Sequence, residues 1–453
     1  PAIAVPVIKN ITYNISDFGA KADGMCLNTE SINRAITECI KQGCGTALIP
    51  AGFWMTGPIV LKSNVNLHLA ANCLLQFSSD FNQYALVQGN WEGRPAVRNQ
   101  SPVSAANEEN IAITGSGIID GGGNAWRMMK KEKMTDAQWK NLIASGGILS
   151  ADKKTWYPSE KSRKGSETKD AGVIKDGKTI KDFEEIKDFL RPNLLVFYQC
   201  KKILIEGVSF QNSPAWCLHP LLCEDLTIRN SNVKNPWNAQ NGDGSESEFC
   251  MNCRRENSRF DVGDDGICIK SGRDEAGRLR NKPTENVLIR GCTVFHGHGG
   301  FVIGSEMSGG ARNIVISDCS FIGTDIGLRF KTVRGRGGIV EKIFIRNINM
   351  KNIAGDAIFF DMYYMAKDPV PINRDQSAPP PKETFPVTEA TPQFRDFHIS
   401  NIVCNGAAHA IYIRGLPEMK IKNIYLDSMV LKSREGIACT DATNIYLNNI
   451  RLI

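Results

Sequence analysis

Acidic residues are concentrated beside glycines in two short segments near the middle of the chain. The segment NGDGSESE (residues 241–248) contains Asp243, and VGDDGICIKSG (residues 262–272) contains Asp264 and Asp265. Crowded carboxylates raise one another's pKa, so one can keep its proton while its neighbours stay ionised. Glycoside hydrolysis needs such a pair, one carboxyl protonated and one ionised. The spacing alone fits equally well a turn that favours aspartate, or a calcium-binding loop.

Imidazole and basic side chains follow the acidic segments. The segment FHGHGG places His298 among glycines, which allow a ligand to approach closely, and His296 is the alternative to it. In LRFKT, Arg329 and Lys331 lie two residues apart and therefore share one face of a strand. Such a pair ordinarily lies on a solvent-exposed face of a strand and has no further role. Two fixed cations beside a carboxylate cluster, however, favour a sugar substrate that itself carries a carboxylate.

A short alternating phrase recurs along the chain and predicts the elements that position these residues. The phrase reads NIAI, KILI, NVLI, NIVI, KIFI and NIYL, at residues 110–113, 202–205, 286–289, 313–316, 342–345 and 444–447. Later copies are mostly about twenty to thirty residues apart, which is too short for a βαβ unit. Repeated strands without crossover helices predict stacked coils, which makes the fold all-β, a parallel β-helix.

We expect one β-helix domain over residues 1–453, with an N-terminal cap at about residues 17–60. The segment SINRAITECIK (residues 31–41) has helical periodicity and predicts the capping helix. Two stretches interrupt the repeat, a charged and partly helical insertion at residues 122–191 and a loop at 367–391 that contains Pro379–Pro381. Long loops on a repeat scaffold usually wall the binding face; an insertion without function is the alternative.

Composition excludes some classes of protein and leaves others open. Lysine and arginine outnumber aspartate and glutamate by 54 to 48, which suits a polyanionic partner but also an ordinary basic protein. The fourteen cysteines occur as singles, without the spacing of a zinc site, and most are expected to be buried thiols. The sequence contains no run of eighteen or more uncharged apolar residues, so it predicts no membrane span. The sequence predicts no cofactor, no metal ion and no nucleic-acid partner.

Taken together, the motifs resemble those of glycoside hydrolase family 28, the polygalacturonases. The marks of that family are Asn-x-Asp, Gly-Asp-Asp, Gly-His-Gly and Arg-Ile-Lys, in this order along a right-handed parallel β-helix of the pectin lyase-like type. All four are present, with Gly242 in the first motif and Phe330 in place of isoleucine in the last. The segments DFGAKADG (residues 17–24) and GSGIIDG (residues 115–121) extend the resemblance to roughly the first three quarters of the chain. One departure is Arg255, which stands where an inward aliphatic residue is expected and needs a partner if buried.

The resemblance implies a role for each matched residue. Asp264 would be the general acid, and Asp243 and Asp265 the bases that activate water, with inversion at the anomeric carbon. His298, Arg329 and Lys331 would contact the galacturonate. Tyr363 is matched to a tyrosine of the family, with Tyr364 as the alternative. The remaining candidate substrate-binding residues lie in the two acidic motifs, Asn241 and Lys270.

The resemblance also implies a substrate and a location. The expected substrate is a pectic polysaccharide or oligogalacturonide. The insertion at residues 122–191 and the run KSGRDEAGR (residues 270–278) look like those of bacterial exo-acting members. The alternatives are a rhamnogalacturonan-directed enzyme of the same family, a calcium-dependent pectate lyase and a non-catalytic polysaccharide-binding β-helix. Because pectin is met outside the cytoplasm, we expect an exported bacterial monomer, periplasmic or extracellular.

Overall fold

The computed structural model describes residues 2–365 and 383–453, which form two compact units. The first unit comprises Val5–Pro220 and Ser231–Asp243. The second unit comprises Leu221–Asn230 and Gly244–Ile453, together with the N-terminal residues up to Ala4. The expectation of one domain over residues 1–453 stays a prediction.

The first unit is built from short strands that stack in parallel. Thr12–Asn14 pairs with Thr46–Ile49, which pairs with Asn66–Leu69; the ladder continues through Glu109–Gly115 to Lys201–Glu206. Each step of this ladder is one coil of a right-handed parallel β-helix. The other strands that begin in this unit are Asp23–Leu27, Gly52–Thr56, Ile59–Val60, Cys73–Phe77, Leu86–Trp91, Arg94–Asn99, Val103–Ala106, Ile118–Asp120, Met129–Lys130, Ile148–Leu149, Thr155–Tyr157, Leu195–Tyr198, Ser209–Gln211, Leu218–Leu221 and Asn232–Lys234.

The second unit repeats the same architecture with longer strands. Ser245–Glu248 pairs in parallel with Asp265–Lys270, followed by Gly299–Ile303, Leu328–Lys331 and Asp356–Asp361. Candidate site residues therefore lie on successive coils, as the repeat predicts. The remaining strands of this unit are Glu224–Arg229, Met251–Glu256, Arg259–Val262, Thr284–Arg290, Thr293–His296, Ala311–Ile322, Ile339–Lys351, Gln393–Arg414, Ile421–Thr440 and Ala442–Leu452.

The first residue of each copy of the repeated phrase has a left-handed backbone. The φ angles lie between 53° and 61° for Asn110, Lys202, Asn286, Asn313, Lys342 and Asn444. Asparagine tolerates this conformation better than most residues, which explains why it opens four of the six copies. The apolar residues that follow point inward and stack in register on successive coils: Val287, Ile314, Ile343, Phe397 and Ile424. Each is buried, which stabilises the fold by about 1.5–3 kcal/mol per side chain.

Arg255 occupies an inward position of the second unit and is fully buried. It lies in register with Ile228 on one side and Ile289 on the other. Its guanidinium donates hydrogen bonds to the hydroxyl oxygens of Ser245 (2.9 Å) and Ser247 (2.5 Å). The coil therefore accommodates the arginine by supplying polar partners from a strand within the same unit.

The predicted capping helix is confirmed as Thr29–Lys41. Its buried side chains follow the spacing i, i+3, i+4 and i+7, at Ile32, Ala35, Ile36 and Cys39. This face packs on the first strands of the first unit. A disulfide links Cys39 to Cys44; the free cysteines of the described chain are buried except Cys26 and Cys439. The other α-helices are Asp136–Ala144, Glu160–Ser166 and Asp274–Arg280, and the 3-10 helices are Ile15–Phe18, Phe81–Gln83, Gly123–Ala125, Lys131–Lys133 and Ile180–Phe189.

The insertion at residues 122–191 is a small folded structure on the first unit. It contains two of the α-helices and a three-stranded antiparallel sheet in which Thr155–Tyr157 is central. An antiparallel hairpin, Leu86–Trp91 with Arg94–Asn99, packs against it through Leu86, Val97, Phe183 and Leu190. This hairpin was not predicted from the sequence.

Of the predicted loop at residues 367–391, residues 367–382 with Pro379–Pro381 lie outside the described residues, and residues 383–391 contain neither helix nor strand. No helix in residues 2–365 and 383–453 has the length and apolar character needed to cross a membrane.

Candidate active site

Asp264 and Asp265 lie at the start of a central strand of the second unit. Asp265 is buried, whereas Asp264 is half-buried. The carboxylate of Asp264 accepts a hydrogen bond from the backbone N–H of Asp265 at 2.9 Å. Its carbonyl accepts one from the backbone N–H of His298, also at 2.9 Å. Gly297 permits this close approach, because a Cβ at that position would lie 2.3 Å from the carbonyl oxygen of Asp264.

Two cations surround the Asp265 carboxylate. The Lys331 ammonium nitrogen lies 3.1 Å from its Oδ2 atom, and Nη1 of Arg329 lies 3.8 Å from Oδ1. Arg329 and Lys331 thus share one face of the strand Leu328–Lys331, as predicted. Burial acts to raise the pKa of Asp265, but the positive charges of Lys331 and Arg329 outweigh it and lower the pKa to about 2.

Asp264 has the opposite electrostatic environment. Burial and the neighbouring negative charge of Asp265 raise its pKa to about 6, while His298 and Lys331 act in the opposite direction. At a pH between these two values, Asp264 keeps its proton and Asp265 is ionised. Adjacent carboxyl groups with pKa values driven apart are the usual basis for separate acid and base roles.

His298 is exposed beside this pair, and a third acidic residue orients it. Its Nδ1 atom lies 2.6 Å from Oδ2 of Asp325, and its backbone carbonyl accepts a hydrogen bond from Arg329 at 3.3 Å. With Nδ1 held by Asp325, the other ring nitrogen is left for a ligand. The alternative, His296, is paired with Asp261 at 3.0 Å. Asp325 was not predicted from the sequence, where its only signal is its position one coil after the histidine.

The two adjacent tyrosines occupy different surroundings. The ring of Tyr364 lies 4.7 Å from the Lys331 ammonium and 5.9 Å from the Arg329 guanidinium. The ring of Tyr363 instead lies near Arg334 (5.2 Å) and Arg414 (5.1 Å), and it is buried. Successive residues of an extended chain point in opposite directions, so this placement favours Tyr364 over Tyr363, and the choice of Tyr363 stays a prediction. Tyr364, the alternative, is the tyrosine beside the two predicted substrate cations.

Lys270 is buried at the end of the same strand as Asp265. Its ammonium lies 2.6 Å from the Glu306 carboxylate and 4.0 Å from Glu246, and it donates to the carbonyl of Gly304 at 3.2 Å. Its charge helps to lower the pKa of Asp265. This placement favours an electrostatic role over the predicted direct contact with substrate.

Asp243 and Asn241 belong to the first unit. Asn241 has a left-handed backbone, and its side-chain oxygen accepts a hydrogen bond from Arg191 at 3.0 Å. Asp243 is buried, and its carbonyl accepts a hydrogen bond from the N–H of Cys217 at 2.9 Å. Asp243 is followed directly in the chain by Gly244, the N–H of which donates to the carbonyl of Asp265 at 2.9 Å.

Known proteins resemble the chain both in sequence and in fold. The model of the family "Glycosyl hydrolases family 28" matches residues 165–378. The solved structure of a hyperthermoactive exopolygalacturonase from Thermotoga maritima has 31% sequence identity and a TM-score of 0.79, with 99% of this chain and 93% of that chain covered. The chain belongs to glycosyl hydrolase family 28.

Curated relatives of this family 28 chain are more distant. An exo-poly-alpha-D-galacturonosidase from Dickeya chrysanthemi is 27% identical over 99% of this chain and 71% of that protein. A probable polygalacturonase from Vitis vinifera is 29% identical over 75% of this chain. The aligned region spans 61% of the length of the Vitis protein.

The charges around the acidic pair bear on whether this family 28 chain holds a metal there. Calcium is bound by six to eight oxygen ligands, many of them carboxylates. Asp265 already contacts the Lys331 ammonium, with the Arg329 guanidinium close by. A metal cation added at Asp265 would be repelled by these two fixed charges. The donor set therefore favours proton transfer over calcium binding.

Proposed function

We propose that this chain is an exo-acting polygalacturonase, which hydrolyses α-1,4-galacturonosyl linkages of pectin and releases galacturonate. The observation that carries the proposal is the Lys331 ammonium 3.1 Å from the Asp265 carboxylate, beside the half-buried Asp264, an arrangement that drives the pKa values of these adjacent carboxyl groups apart, to about 2 for Asp265 and about 6 for Asp264. The names of the Thermotoga and Dickeya relatives support exo action on galacturonides.

In this mechanism, Asp264 donates its proton to the glycosidic oxygen as the bond to the anomeric carbon breaks. Asp265 accepts a proton from the attacking water, whose oxygen forms the new bond to that carbon; the resemblance to the family assigns Asp243 the same role of base. Asp264 has then lost a proton and the base has gained one, so both carboxyl groups return to their starting states after proton exchange with solvent. Attack opposite the leaving group inverts the anomeric configuration.

In the proposed mechanism, the cationic and polar side chains beside Asp264 and Asp265 position the substrate. Arg329 is partly exposed and presents a guanidinium suited to a carboxylate. His298 offers a ring nitrogen to a sugar hydroxyl, and Tyr364 adds a ring beside both cations. Lys331 is buried, and its contribution is to keep Asp265 ionised as a base.

The alternatives use the same fold but different chemistry. A pectate lyase removes a proton with calcium and a base, yet the Asp265 carboxylate already contacts an ammonium group. A rhamnogalacturonan-directed enzyme has less need for two cations at the cleavage site, and a binding module has no need for a protonated Asp264. Arg329, Lys331 and the raised pKa of Asp264 therefore favour the galacturonosidase.

We also propose that the protein acts as an exported monomer, periplasmic or extracellular, on pectic polysaccharide or oligogalacturonide. The size and acidity of pectin support a site of action outside the cytoplasm. Fractionation of the producing cells tests the location, and light scattering of the purified chain tests the oligomeric state. Activity confined to the cytoplasmic fraction, or a stable dimer, would contradict these two proposals respectively.

The product profile over time tests the function directly. Oligogalacturonides and polygalacturonate are digested with a chelator present, and products are separated by size and ultraviolet absorbance. Saturated galacturonate from the earliest time point is the expected result. A ladder of oligomers would show that the chain cleaves within the polymer, by endo and not exo action. An unsaturated product that disappears with chelator would establish a lyase.

A further inference from the structure

A buried ion pair of the second unit, Lys270 with Glu306, includes a carboxylate to which the proposed mechanism assigns no role. The Lys270 ammonium lies 2.6 Å from the Glu306 carboxylate, and the two side chains are only 6% and 10% exposed. Lys270 ends the strand that begins with Asp265, and Glu306 follows the strand Gly299–Ile303. These two strands pair in parallel. The ion pair therefore joins the strand that begins with the proposed base to the strand of the next coil.

The main chain holds Glu306 next to Lys270. The carbonyl of Glu306 accepts a hydrogen bond from the N–H of Ser271 at 2.9 Å, and Ser271 directly follows Lys270 in the chain. The Lys270 ammonium also donates to the carbonyl of Gly304 at 3.2 Å. Residues 304–306 thus supply two acceptors to one ammonium group, which fixes the position of its charge.

Glu306 is ionised at the pH values at which the two aspartates differ in charge. Burial acts to raise its pKa, but the positive charges of Lys270, Lys331 and Arg336 outweigh it and lower the pKa to about 2. Glu306 therefore carries a constant negative charge at any pH well above this value. A change in the pH profile after its replacement would reflect another group that titrates.

Stability alone does not account for a buried ion pair. Moving two charges out of water is costly, and two apolar side chains of similar volume often stabilise a fold as well or better. Charges that are fixed in a region of low dielectric do, however, act strongly on neighbouring titratable groups. Lys270 acts in this way on Asp265, since its positive charge helps to lower the pKa of that carboxyl group.

Other charged groups also act on the acidic pair and on Glu306, and they remain when Glu306 is replaced. Those that act on Asp264 or Asp265 are Glu246, His298, Arg329 and Lys331, and Glu246 also lies 4.0 Å from Lys270. Of the cations near Glu306, Arg336 is paired with Asp274 at 2.7 Å. Glu248 accepts a hydrogen bond from the N–H of Gly272 at 3.3 Å.

We propose that Glu306 is a positioning residue of the reaction, which fixes the Lys270 ammonium and balances its charge, so that Asp265 can accept a proton and Asp264 keeps one. The inference rests on the proposed function, since it needs Asp264 as the acid and Asp265 as the base. Without the negative charge of Glu306, the surroundings of both aspartates become more positive. Positive charge stabilises ionised carboxylates, so Asp265 becomes a weaker base and Asp264 loses its proton at a lower pH.

The pH profile of kcat/KM on oligogalacturonides tests this role, because a purely structural residue would lower activity without moving the profile. Glu306→Gln keeps the shape of the side chain and should move the basic limb to lower pH by about 0.5–1 unit. Lys270→Met removes the opposite charge and should move the limbs to higher pH. The limb of the double variant should lie between those of the two single variants.

Two further variants serve as controls. Glu306→Asp keeps the charge and should return the basic limb to its wild-type position. Glu341→Gln should leave the limb unchanged, because Glu341 is paired with Arg395 at 2.8 Å on another pair of strands of the second unit. A wild-type limb in Glu306→Gln, or a limb at higher pH, would overturn the inference. If Glu306→Gln does not fold, Lys270→Met decides, and an unmoved profile in that variant would overturn it.

The free energy of unfolding separates this inference from the proposed function, because it requires no turnover. Each protein is compared with its Asp264→Asn derivative by urea unfolding between about pH 4.5 and 7.5, so that the difference reports the titration of Asp264. The stability that protonated Asp264 contributes is lost as pH rises through about 6, and in Glu306→Gln this loss should occur at lower pH.

The two measurements have distinguishable outcomes. If the wild-type chain hydrolyses no pectic acid while the titration of Asp264 still shifts in Glu306→Gln, the proposed reaction fails and the effect of Glu306 on Asp264 stands. If the wild-type chain releases galacturonate while neither the basic limb nor the titration shifts, the role of Glu306 fails and the hydrolase stands.

Discussion

The Lys331 ammonium lies 3.1 Å from the Asp265 carboxylate, and both groups are buried in the second unit. This ion pair separates the pKa values of the two adjacent aspartates, Asp264 and Asp265. Without the positive charges, burial and mutual repulsion would raise the pKa of both carboxyl groups. With them, Asp265 stays ionised and Asp264 becomes the group that holds a proton.

We predict that Lys331→Met destabilises the protein by about 3–5 kcal/mol, because it leaves a buried carboxylate without its nearest cation. Urea unfolding measures the loss. Adding Asp265→Asn should recover part of it, since the unpaired charge is then removed. Lys351→Met, at an exposed position of the strand Ile339–Lys351, is the control and should change stability by less than about 0.5 kcal/mol. A similar loss in both single variants would argue against a structural ion pair.

The pH dependence of kcat/KM should show a basic limb near pH 6. Asp264 must be protonated to act as the acid, so activity falls as pH rises through its pKa of about 6. Asp265 stays ionised down to about pH 2, and so its protonation limits activity only at much lower pH. Initial rates on oligogalacturonides between pH 3 and 8, with stability controls, test this. A basic limb at the ordinary aspartate value near 4 would show that Asp264 is not perturbed.

Asp264→Asn should lower kcat by about 100- to 10,000-fold and leave KM within a few-fold, because it removes a proton donor and not a binding contact. The fold should be retained. The raised pKa means that ionised Asp264 destabilises the folded state. The stability that protonated Asp264 contributes is therefore lost as pH rises through about 6. The neutral asparagine variant should therefore be at least as stable at pH 7.5. Asp261→Asn is the control, because Asp261 is paired with His296 and not with the acidic pair. Turnover that survives Asp264→Asn would mean that Asp264 is not the general acid.

The architecture could be predicted because the same local physics recurs in every coil. The phrase that begins with Asn110 and recurs at Asn286 combines a left-handed turn residue with alternating inward aliphatic residues. Both features are visible in one copy, and stacking repeats them. The order of the site residues along the coils follows from the same register, which places Asp265, Gly299 and Leu328–Lys331 on successive strands.

Side-chain partners were less predictable, because they depend on how far each turn extends between strands. The pairing of His298 with Asp325 joins residues 27 positions apart in the chain. The hydroxyl partners of Arg255 come from a strand that no pattern around Arg255 identifies. The choice between Tyr363 and Tyr364 depends on which one follows the last inward residue of the strand. A one-residue error in that assignment reverses the direction of the side chain.

The adjacent tyrosines should respond differently to truncation. Tyr364→Ala should raise KM several-fold for oligogalacturonides, because its ring lies beside Lys331 and Arg329 and a cation–π contact is worth about 0.5–2 kcal/mol. Tyr363→Ala should instead destabilise the fold by about 3 kcal/mol or more, since that ring is buried between Arg334 and Arg414. Each variant is the control for the other. A larger KM effect from Tyr363→Ala would restore Tyr363 as the substrate contact.

Arg329→Ala should raise KM for acidic oligogalacturonides by about 10- to 150-fold, which corresponds to one charge-assisted contact of about 1.5–3 kcal/mol. The same variant should lose little on methyl-esterified oligomers, because the ester carries no negative charge for the guanidinium to pair with. Arg312→Ala is the control, since Arg312 also lies on a strand of the second unit but is paired with Glu285 at 2.7 Å. Steady-state kinetics on both substrates separate the two possible roles of Arg329. Equal losses on acid and ester would mean that Arg329 acts only through Asp265, 3.8 Å away, and not on the substrate carboxylate.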